Sequence, residues 1–441
     1  AALGALAGSR PRVLLEASTT LTFVAGRGAR VTVATPAAAA PQRPLTVVAV
    51  AAWFACIGIA ASLMLGRHAD VPVEESFRRH ALPCSQRWQT SGGEVHVLRW
   101  ASRDCCVPDV TVVCLHGTFD SAHAFEPWAE ALSKAGSGLG LALEILAPDL
   151  PGHGLTGPWA PGAAVRDEGV GTQRAVAAYS RQMDVAFLRE VLAVAATSGR
   201  AGSGAPASRS QRLLLVGHSL GAAVAVAYAA QHPEQVLGIV LTAPWGLEYR
   251  TARPEEWERC SLLVSLGLSP RLRPLLRPLL AAARQVTPLV VVRWVARTAF
   301  GHSSDSEVRV LWCKAADRMH SLMLREGNRK ALCRRLGELV AEEADHKWWR
   351  AAMWSELASL RCPIQVQWGD ADEWLPSSRA PTFCEAVESG GKIAVDLRLF
   401  PGVGHCVAEQ VPQHSAAAAL ELLGHALPRR CQQRHWPRPQ K

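Results

Sequence analysis

The chain has 441 residues, of which 49% are hydrophobic and 19% charged, and its formal net charge is +9. These values exclude a disordered chain and leave room for a globular domain of about 250–350 residues with an appendage. The arginines are scattered, without a zinc-finger spacing or a basic stripe with interleaved aromatics, so we predict no nucleic-acid partner. The 12 cysteines form no CxxC pair, and we therefore predict no metal site.

Two segments of distinct composition precede the first globular pattern. Residues 1–44 are rich in Ala, Arg, Thr and Pro with Glu16 as the one acidic residue, which is typical of a leader segment. Residues 45–66 carry no charge and are long enough to cross a bilayer as a helix. We predict a single-pass N-terminal membrane anchor, with part of a targeting leader or a buried helix as alternatives. The upstream arginines favour a cytosolic N-terminus, and a plastid or an endomembrane stays open as the location.

From residue 93 onward, short apolar runs alternate with longer helical stretches. This order predicts an α/β fold with a mostly parallel central sheet and helices on both faces. The predicted strands are 95–100, 110–115, 141–147, 213–216, 236–242, 364–368 and 393–400. The predicted helices are 124–135, 173–196, 220–231 and 412–427.

The strands are interrupted once, by a long helical insertion. The core is accordingly predicted in two parts, 93–244 and 361–428, followed by a basic tail over 429–441. Residues 245–360 read as successive helices, and we predict that they form a cap over the active site. We expect the arginines of this insertion to form solvated positive faces.

The sequence GHSLG at 217–221 follows the apolar strand LLLV and precedes an Ala-rich helix. A strand–serine–helix turn of this kind exposes the serine hydroxyl at the end of a sheet. The turn is tight, so Gly217 and Gly221 must be small. The helix dipole and the free N–H of Leu220 favour negative charge beside Ser219.

Three more blocks accompany this turn in a fixed order. They are LHGTFDSAHAFEPW (115–128), APDLPGHGLT (147–156) and the pair QWGDADEWLP (367–376) with FPGVGHCVAEQVP (400–412). With all blocks together, residues 93–428 resemble the α/β-hydrolase superfamily of the AB hydrolase-1 type, in its serine esterase, lipase and C–C hydrolase branch.

The resemblance implies a catalytic triad in the order serine, acid, histidine. Ser219 would be the nucleophile, His405 the general base, and Asp372 the acid that orients the histidine. Asp370 is a neighbouring rival for the acid, and Glu373 is a weaker one.

The resemblance also implies an oxyanion hole of two backbone N–H groups. Thr118, after the His-Gly pair that ends the strand at 110–115, would supply one of them, with Phe119 as the alternative. Leu220 would supply the other.

The reaction implied is hydrolysis of a carboxylic ester or a related acyl bond through an acyl-enzyme, without a metal or organic cofactor. The apolar cap and the predicted anchor favour an apolar or lipid-like small-molecule substrate. A serine rather than an aspartate at position 219 argues against the dehalogenase and epoxide-hydrolase branches of the family. C–C bond hydrolysis or acyl transfer on the same triad, and a non-catalytic ligand-binding protein of this fold, are the alternatives.

Overall fold

The computed structural model describes residues 12–14, 20–25, 29–34, 69–101, 108–159, 179–198, 212–245, 289–301, 305–344, 354–391 and 393–427. The predicted anchor at 45–66 and the predicted basic tail lie outside these residues. Within the described residues, no helix has the length and apolarity needed to span a membrane. The chain divides into two compact units, Ala1–Phe54 and Ala55–Lys441.

The first unit contains a small antiparallel sheet. Its strands are β1 (Arg12–Leu14), β2 (Thr20–Ala25) and β3 (Ala29–Ala34), in the order β1-β2-β3. Threonine and valine recur in β2 and β3 and favour extended backbone. These strands fall within the predicted leader, whose targeting role stays a prediction.

The second unit is built on an eight-stranded sheet in the order β11-β10-β9-β8-β6-β7-β5-β4. Its strands are β4 (Ser85–Thr90), β5 (Gly93–Ala101), β6 (Val110–Leu115), β7 (Leu143–Pro148), β8 (Leu213–His218), β9 (Val236–Thr242), β10 (Ile364–Gly369) and β11 (Val395–Phe400). The pairs β4–β5 and β5–β7 are antiparallel, and the remaining pairs are parallel. The predicted mostly parallel α/β fold is confirmed.

The central strands are buried along their whole length. Every residue of β6, β7, β8 and β10 is buried, which explains why they read as continuous apolar runs. The exceptions in β10 are Gln365 and Gln367, whose amide groups donate to the carbonyl oxygens of Ala418 and Ser415. These bonds satisfy the two buried amides and fix the following helix against the sheet.

Helices cover both faces of this sheet. The α-helices among the described residues of this unit are α1 (Val73–His80), α2 (Glu126–Gly138), α3 (Arg181–Ser198), α4 (Leu220–Gln231), α5 (Leu289–Ala299), α6 (Ser306–Met323), α7 (Asn328–Ala344), α8 (Ala380–Gly391), α9 (Val407–Gln410) and α10 (Pro412–Ala426). One apolar core includes α3, α4 and α8, with Phe187 and Phe383 fully buried. The other includes α2 and α10, with Trp128 and Leu423 fully buried.

The described part of the insertion between β9 and β10 contains α5, α6 and α7, in line with the predicted helical content. The predicted solvated positive face is wrong for Arg325 and Arg335, which are 6% and 0% exposed. The guanidinium of Arg335 donates to both carboxylate oxygens of Asp184 in α3, each at 2.7 Å, and to the carbonyl oxygen of Pro151. The cap is thus joined to the core by a buried ion pair.

Replacement of Arg335 with Met should strongly destabilise the fold, because it leaves the Asp184 carboxylate buried without its cation. We expect the free energy of unfolding to fall by about 3–5 kcal/mol, measured by chemical denaturation. The control is Arg398→Met, because Arg398 pairs with Asp396 and Glu421 at the surface. That change should cost about 0–1 kcal/mol. Equal losses in the two variants would contradict the importance of the buried pair.

Candidate active site

The candidate residues follow four different parallel strands. Thr118 follows β6, Ser219 follows β8, Asp372 follows β10 and His405 follows β11. The carboxyl ends of parallel strands meet at one edge of a sheet, where ligand sites of α/β proteins lie. The sheet topology therefore gathers at one edge four residues that are far apart in sequence.

Ser219 occupies a strained turn between β8 and α4. Its φ is 51° and its ψ is −114°, which places a non-glycine residue in the left-handed half of conformational space. Such strain costs about 1–3 kcal/mol and persists only where surrounding contacts impose it. Here the Ser219 N–H donates to the Thr242 carbonyl oxygen at 3.0 Å, and the Ser219 carbonyl oxygen accepts from the Trp245 N–H at 3.3 Å.

The glycines on either side of this turn allow close backbone packing. A Cβ atom on Gly217 would lie 2.5 Å from the Gly221 carbonyl oxygen. A Cβ atom on Gly221 would lie 2.1 Å from the Leu115 carbonyl oxygen at the end of β6. Any side chain at these two positions would overlap backbone, so the turn requires glycine at both.

The loop after β6 runs against the same turn. A Cβ atom on Gly117 would lie 3.1 Å from Cβ of Ser219. The Asp120 N–H donates to the Gly117 carbonyl oxygen at 3.4 Å, so Thr118 and Phe119 are the central residues of a turn. Phe119 has a φ of 69°, and the hydrogen bond of the turn uses neither of their N–H groups. Thr118 and Phe119 thus stay as the two candidates for the first oxyanion donor.

Asp372 and His405 form a buried pair. The Nδ1 atom of His405 lies 2.8 Å from Oδ2 of Asp372. The other carboxylate oxygen accepts from the N–H groups of Trp374 and Leu375, both at 2.9 Å. Because an ionised carboxylate only accepts, this network assigns the proton to Nδ1 of His405 and leaves the lone pair on Nε2.

Asp370 has a different position and different partners. It is exposed, and its Oδ1 accepts from the Gly402 N–H at 2.6 Å. Its own N–H donates to the Phe400 carbonyl oxygen. Asp370 therefore braces the loop that leads to His405, and Glu373 is exposed. Of the three acidic candidates, the structure brings Asp372 to the imidazole.

Residues that the sequence did not indicate hold His405 in place. The His405 N–H donates to the carbonyl oxygen of Ala299, the last residue of α5, at 2.6 Å. The Trp374 ring stacks on the imidazole at 5.3 Å between centroids. The Nε2 atom of His218 donates to the His405 carbonyl oxygen at 3.1 Å. The available signals were the position of His218 beside Ser219 and the position of Trp374 two residues after Asp372, whereas Ala299 had no signal.

Three further histidines of the sequence blocks, His116, His153 and His218, form hydrogen bonds with the backbone. The Nδ1 atom of His116 donates to the Gly117 carbonyl oxygen, while its Nε2 accepts from the Leu150 N–H at 2.9 Å. Burial lowers the pKa of His116, and it lowers the pKa of His153 and His218 well below the usual range. These three imidazoles are therefore neutral at pH 7, and they act as hydrogen-bonding and packing groups of the backbone around the site.

Asp149 fixes the loop after β7. Its Oδ1 accepts from the Ala122 N–H, and its Oδ2 accepts from the Leu155 N–H and from Nδ1 of His96, each at 2.7 Å. Burial alone would raise the pKa of Asp149, but the hydrogen bond and charge of His96 hold it well below the usual range. The carboxylate thus connects the loops after β6 and β7 on one side of the candidate site.

A cavity lies beside this site, between the cap and the two loops that Asp149 connects. Its lining residues come from the β6 loop, the β7 loop and helices α6 and α7. They are Phe119, Asp120, Ser121, Gly152, His153, Gly154, Met319, Leu322, Met323, Asn328 and Leu332. The cap side of this cavity is mainly apolar.

Comparisons with known proteins agree with this architecture. The profile of the Alpha/beta hydrolase family matches residues 112–419, which is more than half of the chain. The chain belongs to this family. Monoacylglycerol lipase ABHD6 of Mus musculus is 21% identical over 217 residues, which cover 47% of this chain and 54% of that protein. The chain thus spans about half the length of that relative.

Two solved structures share the fold at low sequence identity. Epoxide hydrolase CorEH has a TM-score of 0.53 and 14% identity, over 78% of this chain and 99% of that one. Cfl2 of Burkholderia cenocepacia has a TM-score of 0.51 and 20% identity, over 78% of this chain and 95% of that one. At such identities the likeness extends to the fold and carries no information on substrate.

Proposed function

We propose that this protein is a serine hydrolase that cleaves a carboxylic ester or a related acyl bond of an apolar, lipid-like small molecule. The observation that supports this most directly is the 2.8 Å contact between His405 and Asp372, at the sheet edge that also carries the strained Ser219. A nucleophile, a base and an orienting acid are the parts that covalent acyl transfer needs.

In the proposed reaction, Nε2 of His405 accepts the proton of the Ser219 hydroxyl while Oγ attacks the substrate carbonyl carbon. Asp372 keeps the imidazole in the required tautomer and stabilises the imidazolium that forms. The N–H groups of Leu220 and of Thr118 or Phe119 stabilise the oxyanion of the tetrahedral intermediate.

The second half of the reaction uses the same groups. The imidazolium of His405 gives its proton to the leaving alcohol, which departs and leaves an acyl ester on Ser219. His405 then accepts a proton from water, the hydroxide attacks the acyl-enzyme, and the acid is released as the proton returns to Ser219.

The cavity beside the turn at Thr118 and Phe119 supports an apolar substrate. Met319, Leu322, Met323 and Leu332 line its cap side together with Asn328, and this mainly apolar surface favours an alkyl or acyl group over a charged group. The similarity to a protein named monoacylglycerol lipase also supports a lipid-like ester as the substrate.

Treatment of the full chain with a fluorophosphonate should label Ser219, because the activated Oγ attacks phosphorus and displaces fluoride. Intact-protein mass spectrometry should find one label per wild-type molecule and none on Ser219→Ala. Circular dichroism on both proteins is the control for folding. A folded wild type that takes no label would contradict the proposal and favour a ligand-binding protein of this fold.

Asp372→Asn should lower kcat for an acyl ester by about 10³–10⁴-fold, because the imidazole loses the carboxylate that orients it. The matched control is Asp370→Asn, whose amide oxygen can still accept from Gly402, and its kcat should stay within about threefold of wild type. The reverse ranking would identify Asp370 as the acid. With a β-diketone in place of the ester, release of an acid and a ketone would indicate C–C bond hydrolysis instead.

We propose in addition that residues 45–66 anchor the protein in a membrane. The uncharged run between Arg43 and Arg67 supports this location. The full chain should stay with the membrane fraction after alkaline carbonate extraction, whereas a chain lacking residues 1–68 should be released and keep its esterase activity. Release of both chains would contradict the anchor.

A further inference from the structure

A buried arginine of the cap contacts both loops that flank the candidate site. Arg318 lies in α6, and its Nη2 atom is 3.3 Å from Oδ1 of Asp120 and 3.0 Å from Oε2 of Glu409. Asp120 belongs to the loop after β6, and Glu409 belongs to α9, which follows His405 in the chain. One guanidinium nitrogen therefore contacts carboxylates from two separate parts of the site.

We propose that Arg318 is a positioning residue for the hydrolytic reaction, which aligns the oxyanion loop with His405 when the cap is seated on the core. This proposal rests on the proposed function. Arg318 is a cap residue, so the contact makes the alignment of the catalytic groups depend on the position of the cap.

The link from Arg318 to the oxyanion loop passes through Asp120. The Asp120 N–H closes the turn that contains Thr118 and Phe119, and its Oδ1 also accepts from the Ser121 N–H at 2.8 Å. The carboxylate is thus held to its own turn. A displacement of this carboxylate would move the turn and with it the candidate oxyanion donor.

The link from Arg318 to His405 passes through α9. Both oxygens of Glu409 accept from Nη2 of Arg318, at 3.1 and 3.0 Å. The Val407 N–H at the start of α9 donates to the His405 carbonyl oxygen, and Oε1 of Gln410 accepts from the N–H of Gly404. Helix α9 therefore contacts the backbone of His405 itself and of the residue before it, so a shift of Glu409 would be passed to the imidazole.

Charge explains why the cation is required at this place. The side chains of Arg318, Asp120 and Glu409 are 18%, 9% and 10% exposed, so solvent screens their charges weakly. Without the guanidinium, the carboxyl groups of Asp120 and Glu409 would lose the donor that they share, and whenever both are ionised they would push the two loops apart. Desolvation by burial raises the pKa of Glu409 to about 7, although Arg318 lowers it. A neutral glutamine at this position therefore keeps the acceptor without adding charge.

The experiment compares the full-length wild type with three variants on one soluble acyl ester and with a fluorophosphonate. Arg318→Met should lower kcat and the labelling rate by about 10–100-fold while KM changes by less than about twofold, because misplacement of about 1 Å costs this much. At alkaline pH, where Glu409 of the single variant is ionised and repels Asp120, Arg318→Met/Glu409→Gln should recover part of kcat. Arg293→Met is the control, because Arg293 of α5 forms an exposed pair with Asp317 of α6, and it should match the wild type.

Several results would overturn the proposal. They are an unchanged kcat in folded Arg318→Met, a loss that falls on KM alone, and a double variant no faster than the single one at alkaline pH. If Arg318→Met does not fold, Arg318→Gln decides, because its amide keeps a donor near the two carboxylates but carries no positive charge. A wild-type kcat in that variant also overturns it. A wild type that neither hydrolyses the ester nor takes the label refutes the proposed function itself, before any variant is compared.

Discussion

The close approach of backbone to backbone at the end of β8 is the constraint on which the site depends. The start of α4 lies directly against the end of β6, with Gly221 against the Leu115 carbonyl oxygen and Gly117 against Ser219. Two glycines without side chains make this possible, and the resulting turn forces Ser219 into a positive φ. The same contact places the loop after β6 beside the serine. The oxyanion candidates therefore lie beside the proposed nucleophile because of the packing of two strands and one helix.

A second constraint is that buried carbonyl groups of the loop after β7 need hydrogen-bond donors. The carbonyl oxygens of Pro151, Gly154 and Thr156 are buried, and the cap supplies their donors from Arg335, Asn328 and Arg325 in that order. Buried carbonyl groups without partners would cost free energy. The cap side chains and the carbonyl groups of this loop thus provide hydrogen-bond partners for each other.

The cap also shapes the site. Its helix α5 accepts the His405 N–H through Ala299, and its helix α6 contributes Arg318 to the charged cluster with Asp120 and Glu409. Removal of the cap would therefore open the cavity and also leave polar groups of the loops that carry Asp120 and His405 without partners. The geometry of the candidate site therefore depends on the cap as well as on the core.

The sequence predicted the parts of this fold that follow strong local rules. The apolar runs at β6, β8 and β9, and the glycines of the elbow, are local signals, and the order of the blocks placed Asp372 and His405 together. It did not predict β4 (SQRWQT), α1 (VEESFRRH) or α8, because the first two are polar edge elements and α8 lacks a clear start signal. The buried roles of Arg335 and Arg318 were also missed, since a partner such as Asp184, 151 residues away, has no local signature.

A second serine, histidine and aspartate arrangement shows why residue types alone do not define the site. Nδ1 of His96 lies 2.7 Å from Asp149, and its Nε2 lies 2.9 Å from Oγ of Ser85. Yet Ser85 begins an ordinary edge strand rather than a helix, and its Oγ already accepts from the Leu82 N–H. It therefore lacks the dipole of a helix N-terminus, which would stabilise an oxyanion. What separates Ser219 from Ser85 is the strained turn at a helix N-terminus, which is a property of the backbone and not of the side chains.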